Sequence, residues 1–428
     1  MRVFWSCVAL SVLVAAATHA QTRSPIDLKK ANGTFAEARR LSDREGGRLW
    51  GMRLYGAMFF VDPATREVVA NEADPQGLLH KEGADYVGVL PGSVVIADSP
   101  IEWAGKRWTM LRWPMPEDTF TREVKLEHEL FHRIQPALHL DAPDTPNLQL
   151  DTPEGRLWLQ LEWRALAAAL IARGPAQTMA IADALAFRDH RHRLFAGSAE
   201  TERSLEIAEG VPEYTGLTAA APDASSARWR TVAKLTDPDP SITLVRTFAY
   251  TSGPAYGLLL NQRLPGWTRK VSAHTDLAVL LGTTVRGGAV SAEQRAPYYG
   301  EAAIRVAEAD RAQKADAEKA HYRALLIDGP TLTLPSAGHF SFNFNPSTLI
   351  SLGDAGAVYP TFHLTDVWGT LDVKAGVLVP TTFSRATIAA PTETTGAHLQ
   401  GPGWTLDLAP GWRIAPADKP GSFTVKKD

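Results

Sequence analysis

The chain has 428 residues, of which 45% are hydrophobic, 8% aromatic and 21% charged. These proportions are typical of a globular protein and exclude a disordered chain or a coiled coil. The length predicts two or three domains with room for a buried core. The formal net charge of −3 supplies no basic surface for phosphates, so we expect no nucleic-acid partner.

The first 20 residues have the pattern of a signal peptide. Arg2 supplies a positive start, residues 3–17 are almost wholly apolar, and Thr18 and Ala20 offer small residues at the cleavage positions. Because the single cysteine, Cys7, lies in this segment, we expect a mature chain without a disulfide or a cysteine metal ligand. No other stretch has the roughly 18 consecutive apolar residues of a membrane span. The pattern therefore predicts an exported protein, periplasmic or extracellular, with no membrane span.

Residues 21–120 are predicted to be a β-rich region. Short runs of β-forming residues alternate with turn signals such as Asp62-Pro63. The predicted strands are 53–61, 86–97 and 107–113.

Residues 121–326 are predicted to form a helical domain, because apolar residues there recur at helical spacing. Gly174-Pro175 punctuates two of the helices, and Pro254 suits the first turn of another. The predicted helices are 121–135, 153–173, 176–195, 199–217, one starting at Pro254, and 298–325.

Residues 327–428 are predicted to form an all-β domain of sandwich type. Short runs recur there, several at about ten-residue spacing with Gly and Pro turns between them. The predicted strands are 331–334, 340–344, 358–364, 369–373, 404–408 and 422–425. The fold class predicted for the whole chain is α+β.

The segment from Glu127 to Arg133 carries the strongest chemical signal, the pattern HExxH. His128 and His132 are four residues apart on a predicted helix, so their imidazoles share one face and can bind one Zn²⁺. Glu129 projects beside them, where it can accept a proton from a water molecule on the metal. The alternative is an amphipathic helix whose histidines only cap a core.

A third ligand is expected downstream. Residues 205–216, with Glu-Gly followed by Glu-Tyr, resemble the Asn-Glu-Gly-x-Ala-Glu-Tyr element of gluzincin metallopeptidases of the aminopeptidase N and thermolysin type. The resemblance implies a zincin catalytic domain in which Glu209 is the third zinc ligand. It also implies that Glu213 orients a zinc-binding histidine. Glu206, one turn earlier, is a rival ligand.

The segment also departs from that pattern. Ala208 stands where gluzincins have Asn, and two inserted helices lengthen the gap after the HExxH segment. Pro212 cannot donate to the carbonyl of Ala208, so the ligand helix is expected to bend or end there. The metzincin class is excluded because Gln135 and Leu138 occupy the positions of its Gly and third His.

Residues 250–253, Tyr-Thr-Ser-Gly, resemble the Tyr-x-x-Gly element that precedes a helix in aminopeptidase N-like enzymes. This resemblance implies that the hydroxyl of Tyr250 stabilises the oxyanion. Tyr256 is the alternative donor, and simple aromatic packing is the structural alternative. No Gly-x-Met-Glu-Asn segment precedes the zinc helix, so removal of N-terminal residues does not follow from the resemblance.

Three further patterns have structural alternatives. Residues 106–113 are predicted as the edge strand along which gluzincins bind an extended peptide, although Trp108, Leu111 and Trp113 could simply cover the core. Residues 189–192, Asp-His-Arg-His, could be a second metal cluster, but their charged neighbours favour a solvated helix face. Helical spacing predicts core positions for Trp158, Leu161 and Ala165.

These features together predict an exported zinc metallopeptidase that acts on a peptide or protein substrate. Zn²⁺ is held by His128, His132 and Glu209, Glu129 is the general base, and Tyr250 stabilises the oxyanion. The alternative is a secreted binding or scaffold protein that keeps the gluzincin fold without turnover, against which the intact Glu129 argues. Neither the cleavage preference nor the oligomeric state follows from the sequence.

Overall fold

The computed structural model describes residues 26–238, 242–285, 291–337, 341–345 and 348–428. The predicted signal peptide, with Cys7, lies outside the described residues. Within them the protein is mixed α/β, with an N-terminal sheet, a helical middle and C-terminal sheets. None of its described helices has the length and apolar character needed to cross a bilayer.

The described chain begins with a helix, α1 (Leu28–Glu45), that was not predicted. The side chain of Asp27 caps its start, and Gly46 ends it in the left-handed conformation with φ of 65°. Its inner face buries Phe35 and Leu41 among small residues. The predicted β-rich region therefore also contains a helix, which escaped prediction because alanines on its buried face gave little hydrophobic signal.

A six-stranded sheet follows α1. Its strands are β1 (Met58–Val61), β2 (Glu67–Ala70), β3 (His80–Glu82), β4 (Asp85–Val89), β5 (Ser99–Trp103) and β6 (Lys106–Arg112). The order is β3-β4-β2-β1-β6-β5, with β1 and β6 parallel and the other pairs antiparallel. The prediction of an edge strand at 106–113 is wrong, since β6 lies between β1 and β5. Trp108 and Leu111 are instead fully buried in the core.

The middle of the chain is helical. Its helices are α2 (Thr119–Ile134), α3 (Pro153–Ile171), α4 (Gly174–Leu194), α5 (Ser198–Leu205), α6 (Val211–Ala220), α7 (Ala224–Thr236), α8 (Leu244–Thr247), α9 (Ala249–Arg263), α10 (Leu277–Gly282), α11 (Ala292–Arg295) and α12 (Glu301–Arg323). The predicted helices at 121–135, 153–173 and 176–195 are confirmed to within a few residues. Trp158, Leu161 and Ala165 on α3 are buried, as predicted.

The predicted helix 199–217 is interrupted between α5 and α6. A π-helical turn, Glu206–Gly210, joins the two, and the N–H of Val211 bonds to the carbonyl of Glu206. Pro212 has no N–H to continue the α-helical ladder to Ala208, and insertion of one residue into the turn accommodates this. The α-helical hydrogen bonding is therefore interrupted here, but the helix does not end, because α6 continues past Pro212 to Ala220.

The helix predicted to start at Pro254 starts five residues earlier, so that prediction is wrong. α9 begins at Ala249 and holds Pro254 in its interior. Ala249 and Ser252 are fully buried, and their packing extends the helix back from the proline at the cost of one hydrogen bond.

The C-terminal strands form two sheets. They are β7 (Thr331–Pro335), β8 (Ser341–Phe344), β9 (Ile350–Ser351), β10 (Ala357–Tyr359), β11 (Phe362–Asp366), β12 (Gly369–Val373), β13 (Val377–Val379), β14 (Arg385–Ala389), β15 (His398–Gly401), β16 (Trp404–Leu408), β17 (Trp412–Pro416) and β18 (Phe423–Lys427). One sheet has the order β17-β18-β7-β14-β13-β10-β9 and the other β15-β16-β12-β11-β8. Residues from both sheets, among them Leu332 and Leu371, share one buried cluster.

The run 358–364 was predicted as one strand, and this is wrong. β10 and β11 lie in different sheets, and Pro360 and Thr361 connect them. A proline that cannot donate to a ladder suits this passage between sheets.

The outer strand β8 contacts the rest of the molecule. The side-chain amide of Asn343 donates to the carbonyl of Ile96 over 2.6 Å. The guanidinium of Arg246, on α8, lies 5.2 Å from the centre of the Phe344 ring. These contacts place β8 beside α8 and the segment that precedes β5.

Candidate metal centre

Helix α2 carries the HExxH residues on its buried side. Asp118 caps its start by accepting the N–H of Thr121 over 2.8 Å. The helix packs between the sheet and α6, which buries both His128 and Glu129. The local sequence therefore fixes the helix, and the packing of α6 against it determines what the histidines face.

Three potential ligand atoms converge at this helix. The Nε2 atoms of His128 and His132 lie 3.0 Å apart. Oε2 of Glu209 lies 3.3 Å from the first and 3.5 Å from the second. Within the part of the chain that the structure describes, these three residues are the one group of His, Cys, Asp or Glu close enough to share a metal ion.

The hydrogen bonds of the two imidazoles direct their lone pairs to the same point. Nδ1 of His128 lies 3.2 Å from Oε2 of Glu213, and Nδ1 of His132 lies 2.8 Å from Oε1 of Gln135. The amide nitrogen of Gln135 donates to the carbonyl of Ile207, so its oxygen must accept. Each Nδ1 therefore carries the proton, and each Nε2 is left as a metal donor.

The donor set fits zinc. Atoms bound tetrahedrally at about 2.0–2.1 Å from Zn²⁺ lie about 3.3 Å from one another. The separations of 3.0, 3.3 and 3.5 Å bracket that value. Two imidazole nitrogens and one carboxylate oxygen also leave a fourth position for water, as in catalytic zinc sites.

Glu209 reaches the histidines because it lies on the π-helical turn. Gly210, the last residue of that turn, packs directly on Gly253 of α9, and a Cβ atom at position 253 would collide with the backbone of Gly210. This close approach brings Tyr250, on the first turn of α9, against the same carboxylate. Its hydroxyl donates to Oε2 of Glu209 over 2.6 Å.

Tyr250 belongs to the centre in a second respect. Its ring stacks parallel to the imidazole of His128, with centroids 5.5 Å apart. Burial, and after it the charge of Glu209, raise the pKa of the Tyr250 hydroxyl well above its usual value. The group therefore keeps its proton and is a hydrogen-bond donor.

Tyr256, the alternative donor, lies elsewhere. It is fully buried, and its hydroxyl donates to Oε1 of Glu162 over 2.6 Å. It therefore faces the helices α3 and α4 instead of the histidines.

Glu129 lies at the centre with an unused oxygen. Its Oε2 is buried and has no hydrogen-bond partner among the described residues. Burial raises the pKa of its carboxyl group, and the neighbouring histidines only partly offset this. A raised carboxyl pKa brings the group closer to the range in which it can accept and return a proton at neutral pH.

The ligand residues are strongly coupled. Burial alone would lower the pKa of His128, but hydrogen bonds to Glu209 and Glu213 outweigh it and raise the pKa to about 10. Burial alone would raise the pKa of Glu209, but the two histidines hold it well below its usual range. The carboxylate thus stays ionised and favours a positive charge at the point where the donors meet.

Glu206, the rival ligand, is engaged by an arginine. Its two oxygens accept from the guanidinium of Arg188 over 2.8 and 2.7 Å. One helical turn earlier, Glu202 accepts from Arg191 over 3.0 and 2.7 Å. Arg191 also pairs with Glu162 over 2.7 Å. We call these five residues the arginine network.

The prediction that 189–192 is a solvated face is wrong in part. Arg191 and the neighbouring Arg188 are buried in the arginine network, and His192 pairs with Glu202 over 2.9 Å. His190 packs against Trp158. Asp189 alone is exposed. A charged run can be buried when each charge meets a partner from another helix, which its own sequence does not reveal.

Two cavities meet at the candidate metal centre. The α7-side cavity, of about 540 Å³, lies among α2, α7 and α9, and the β8-side cavity, of about 380 Å³, lies between the N-terminal sheet and β8. Glu129 and Tyr250 line both. The two cavities therefore share these two side chains as a common wall.

Sequence reasoning missed several residues of this region. Gln135 was noted only as a departure from the metzincin pattern, although its position three residues after His132 could have suggested a histidine partner. Asp144 and Arg246, which form an ion pair in the β8-side cavity, had no distinguishing signal. The same is true of Phe344, which comes from a distant sheet.

Comparison of the chain with family models, with curated proteins and with solved structures found no match. The function therefore has to be inferred from the residues of the site.

Proposed function

We propose that the protein is a zinc-dependent metallopeptidase with a gluzincin-type zincin domain over residues 121–326. The zinc ligands in this proposal are His128, His132 and Glu209. The observation that carries it is the convergence of three donor atoms beside the buried, unpartnered oxygen of Glu129. A purely structural ion would require no such carboxylate next to it.

The chain supplies the remaining groups that hydrolysis needs. A bound Zn²⁺ provides Lewis-acid chemistry, which activates water and polarises a carbonyl. Glu129 accepts the proton of the attacking water and returns it to the leaving amine. The hydroxyl of Tyr250 donates to the oxyanion in place of Glu209. Glu213 and Gln135 keep the two imidazoles in the orientation and tautomer that ligation requires.

A peptide suits the surroundings of the centre. Two separate cavities share Glu129 and Tyr250 as lining residues, so a peptide bound at the centre has space for more than one of its side chains. A small, single-group substrate would fill only one of them.

The proposal is tested by metal analysis combined with a peptide-library digest. We expect one zinc per chain and cleavage of peptides by the zinc-loaded protein. His132→Ala should lose its metal at moderate chelator concentration, because it removes one of three ligands. His190→Ala is the matched control, since this histidine packs against Trp158 outside the cluster and should leave metal content unchanged.

Other outcomes would contradict the proposal. Equal metal retention by His132→Ala and His190→Ala would put the ion elsewhere. Stoichiometric zinc without cleavage of any peptide would support a binding or scaffold protein that keeps the metal without turnover.

A further inference from the structure

The α7-side cavity combines an apolar wall with a basic mouth. Phe120 and Val124 of α2, Leu217 of α6 and Pro254 of α9 supply apolar lining, and the cavity volume of about 540 Å³ accommodates a large side chain. Burial of an apolar side chain against this lining is favourable because it removes apolar surface from water. The wall therefore favours an apolar substrate residue next to Glu129.

Three cations also line this cavity, and two of them are engaged. Lys234 pairs with Glu213 over 3.0 Å. Lys125 pairs with Asp98 over 3.0 Å, although Asp98 also holds Arg112.

The third cation, Arg230, has an acidic neighbour, Asp118, whose pKa its charge helps to lower, but the two side chains form no ion pair. Its guanidinium lies 3.7 Å from the centre of the Phe120 ring, it is exposed, and it forms no ion pair with any residue that the structure describes. A positive charge at the mouth of an apolar cavity attracts a carboxylate and raises the rate of encounter with it.

The β8-side cavity differs in this respect. Its two arginines are paired, Arg112 with Asp98 and Arg246 with Asp144. An arginine that is available to a charged substrate group is therefore found in the α7-side cavity and not among the two arginines of the β8-side cavity.

We propose that the protein selects peptides in which a carboxylate neighbours a large apolar residue. The apolar side chain occupies the α7-side cavity, and the carboxylate contacts Arg230 at its mouth. The carboxylate belongs either to an acidic side chain or to the free end of the peptide. The inference rests on the proposed function, because it places the scissile bond of a peptide at Glu129.

The test measures binding separately from turnover. Zinc-loaded Glu129→Gln is titrated into fluorescein-labelled peptides at low salt, and anisotropy gives Kd. One pair is Ala-Ala-Ala-Phe-Glu-Ala and Ala-Ala-Ala-Phe-Gln-Ala, both amidated. A second pair is Ala-Ala-Ala-Phe with a free or an amidated end. We expect the carboxylate form of at least one pair to bind about three- to tenfold more tightly, the range for an exposed charge contact. The pair that shows the difference identifies the source of the carboxylate.

The residue responsible is identified by matched variants in the same background. Arg230→Gln should abolish the difference within the pair. Arg228→Gln removes the same charge from the same helix but from a side chain that does not line the cavity, so it should keep the difference. A preference that survives Arg230→Gln, or its absence in the parent protein, overturns the inference.

Failure of this inference is distinguishable from failure of the proposed function. Cleavage of the glutamine and amidated peptides as efficiently as their carboxylate counterparts by the wild-type protein would overturn only the carboxylate selection. Absence of cleavage of every peptide by the zinc-loaded wild type would overturn the proposed function as well.

Discussion

Two buried charged clusters share one helical stretch and differ in what balances their charge. Glu202 and Glu206 point into the arginine network, where Arg188 and Arg191 supply the cations. Glu209 and Glu213, one and two turns later, face the imidazole of His128 instead of a guanidinium. In the first cluster, arginines of the chain balance the carboxylate charges.

The carboxylates of the two clusters have different hydrogen-bond partners. In the arginine network each carboxylate accepts from a guanidinium, which satisfies buried charges at favourable geometry. At the candidate metal centre three donors face one another and Oε2 of Glu129 has no partner among the residues that the structure describes. Under the proposed function, a bound Zn²⁺ would supply the positive charge that the guanidinium groups supply in the arginine network.

The largest expected effect is on turnover. Glu129→Gln should fold, keep its zinc and lose about 10⁴-fold in kcat, because an amide cannot accept a proton from water. Activity assays on protein of measured zinc content test this. Unchanged turnover would contradict the proposed mechanism, and loss of folding would assign Glu129 to the structural side of the comparison.

Substitutions in the arginine network should change the stability of the protein and not its turnover. Glu202→Gln removes one partner of a fully buried pair and should lower the free energy of unfolding by about 3–5 kcal/mol. Glu200→Gln, on the exposed side of α5, is the control and should have little effect. Chemical denaturation measures both. A stable Glu202→Gln with reduced zinc affinity would mean that the two clusters are not separate.

The effect of Glu202→Gln should also depend on pH. Burial alone would raise the pKa of Glu202, but Arg191 and His192 outweigh it and hold the pKa well below its usual range. A carboxyl pKa lowered by folding gives stability that is complete above the unfolded value of about 4.3 and declines as pH falls towards the folded value. The stability difference between wild type and Glu202→Gln should therefore shrink below about pH 4.

Tyr250 and Tyr256 lie on the same helix, but the first contacts Glu209 of the candidate metal centre and the second contacts Glu162 of the arginine network. Tyr250→Phe should lower kcat about 10²–10³-fold with little change in KM, because the hydroxyl bond matters most in the transition state. Tyr256→Phe should leave kcat unchanged and lower stability by about 1–3 kcal/mol, since it removes a donor to buried Glu162. If Tyr250→Phe instead weakens zinc binding with kcat intact, its hydroxyl only positions Glu209.

The smallest expected effect concerns two buried glutamines. Gln135→Ala should weaken zinc binding about 10–100-fold, because His132 loses the acceptor that fixes its ring. Gln177→Ala is matched in burial and also leaves a backbone carbonyl without its donor, but it lies away from the candidate metal centre. It should lower stability without changing zinc affinity. Equal zinc affinities in competition titrations would show that Gln135 has only a structural role.

Much of the candidate centre could be predicted because it depends on short spacings. Residues i and i+4 on a helix share a face whatever surrounds them, so the convergence of His128 and His132 followed from sequence. Glu209 was reached by resemblance to a known element, and its proximity to the histidines is seen only in the fold. The interruption at Pro212 was also predictable, since a missing N–H acts locally.

Other features depended on contacts between distant segments. The order of strands in a sheet is set by partners far apart in sequence, so nothing within 106–113 indicated that β5 would cover its outer side. The charges at 189–192 predicted a solvated helix face. Arg191 is buried because it pairs with Glu162 and Glu202, which lie on other helices and could not be identified from this segment. Gln135 orients His132 only because Ile207 fixes its amide.

The sequence by itself determined the chemical groups, namely two imidazoles and a carboxylate on one helical face, and a downstream carboxylate on a helix whose hydrogen bonding had to be interrupted. Tertiary structure decided which carboxylate faces the imidazoles. Glu206 and Glu209 are both acids on the same π-helical turn, and helical spacing favours neither. Arg188 engages the first, and the glycine contact between Gly210 and Gly253 brings Tyr250 against the second. Because these partners lie on α4 and α9, the choice between the two acids depends on long-range packing.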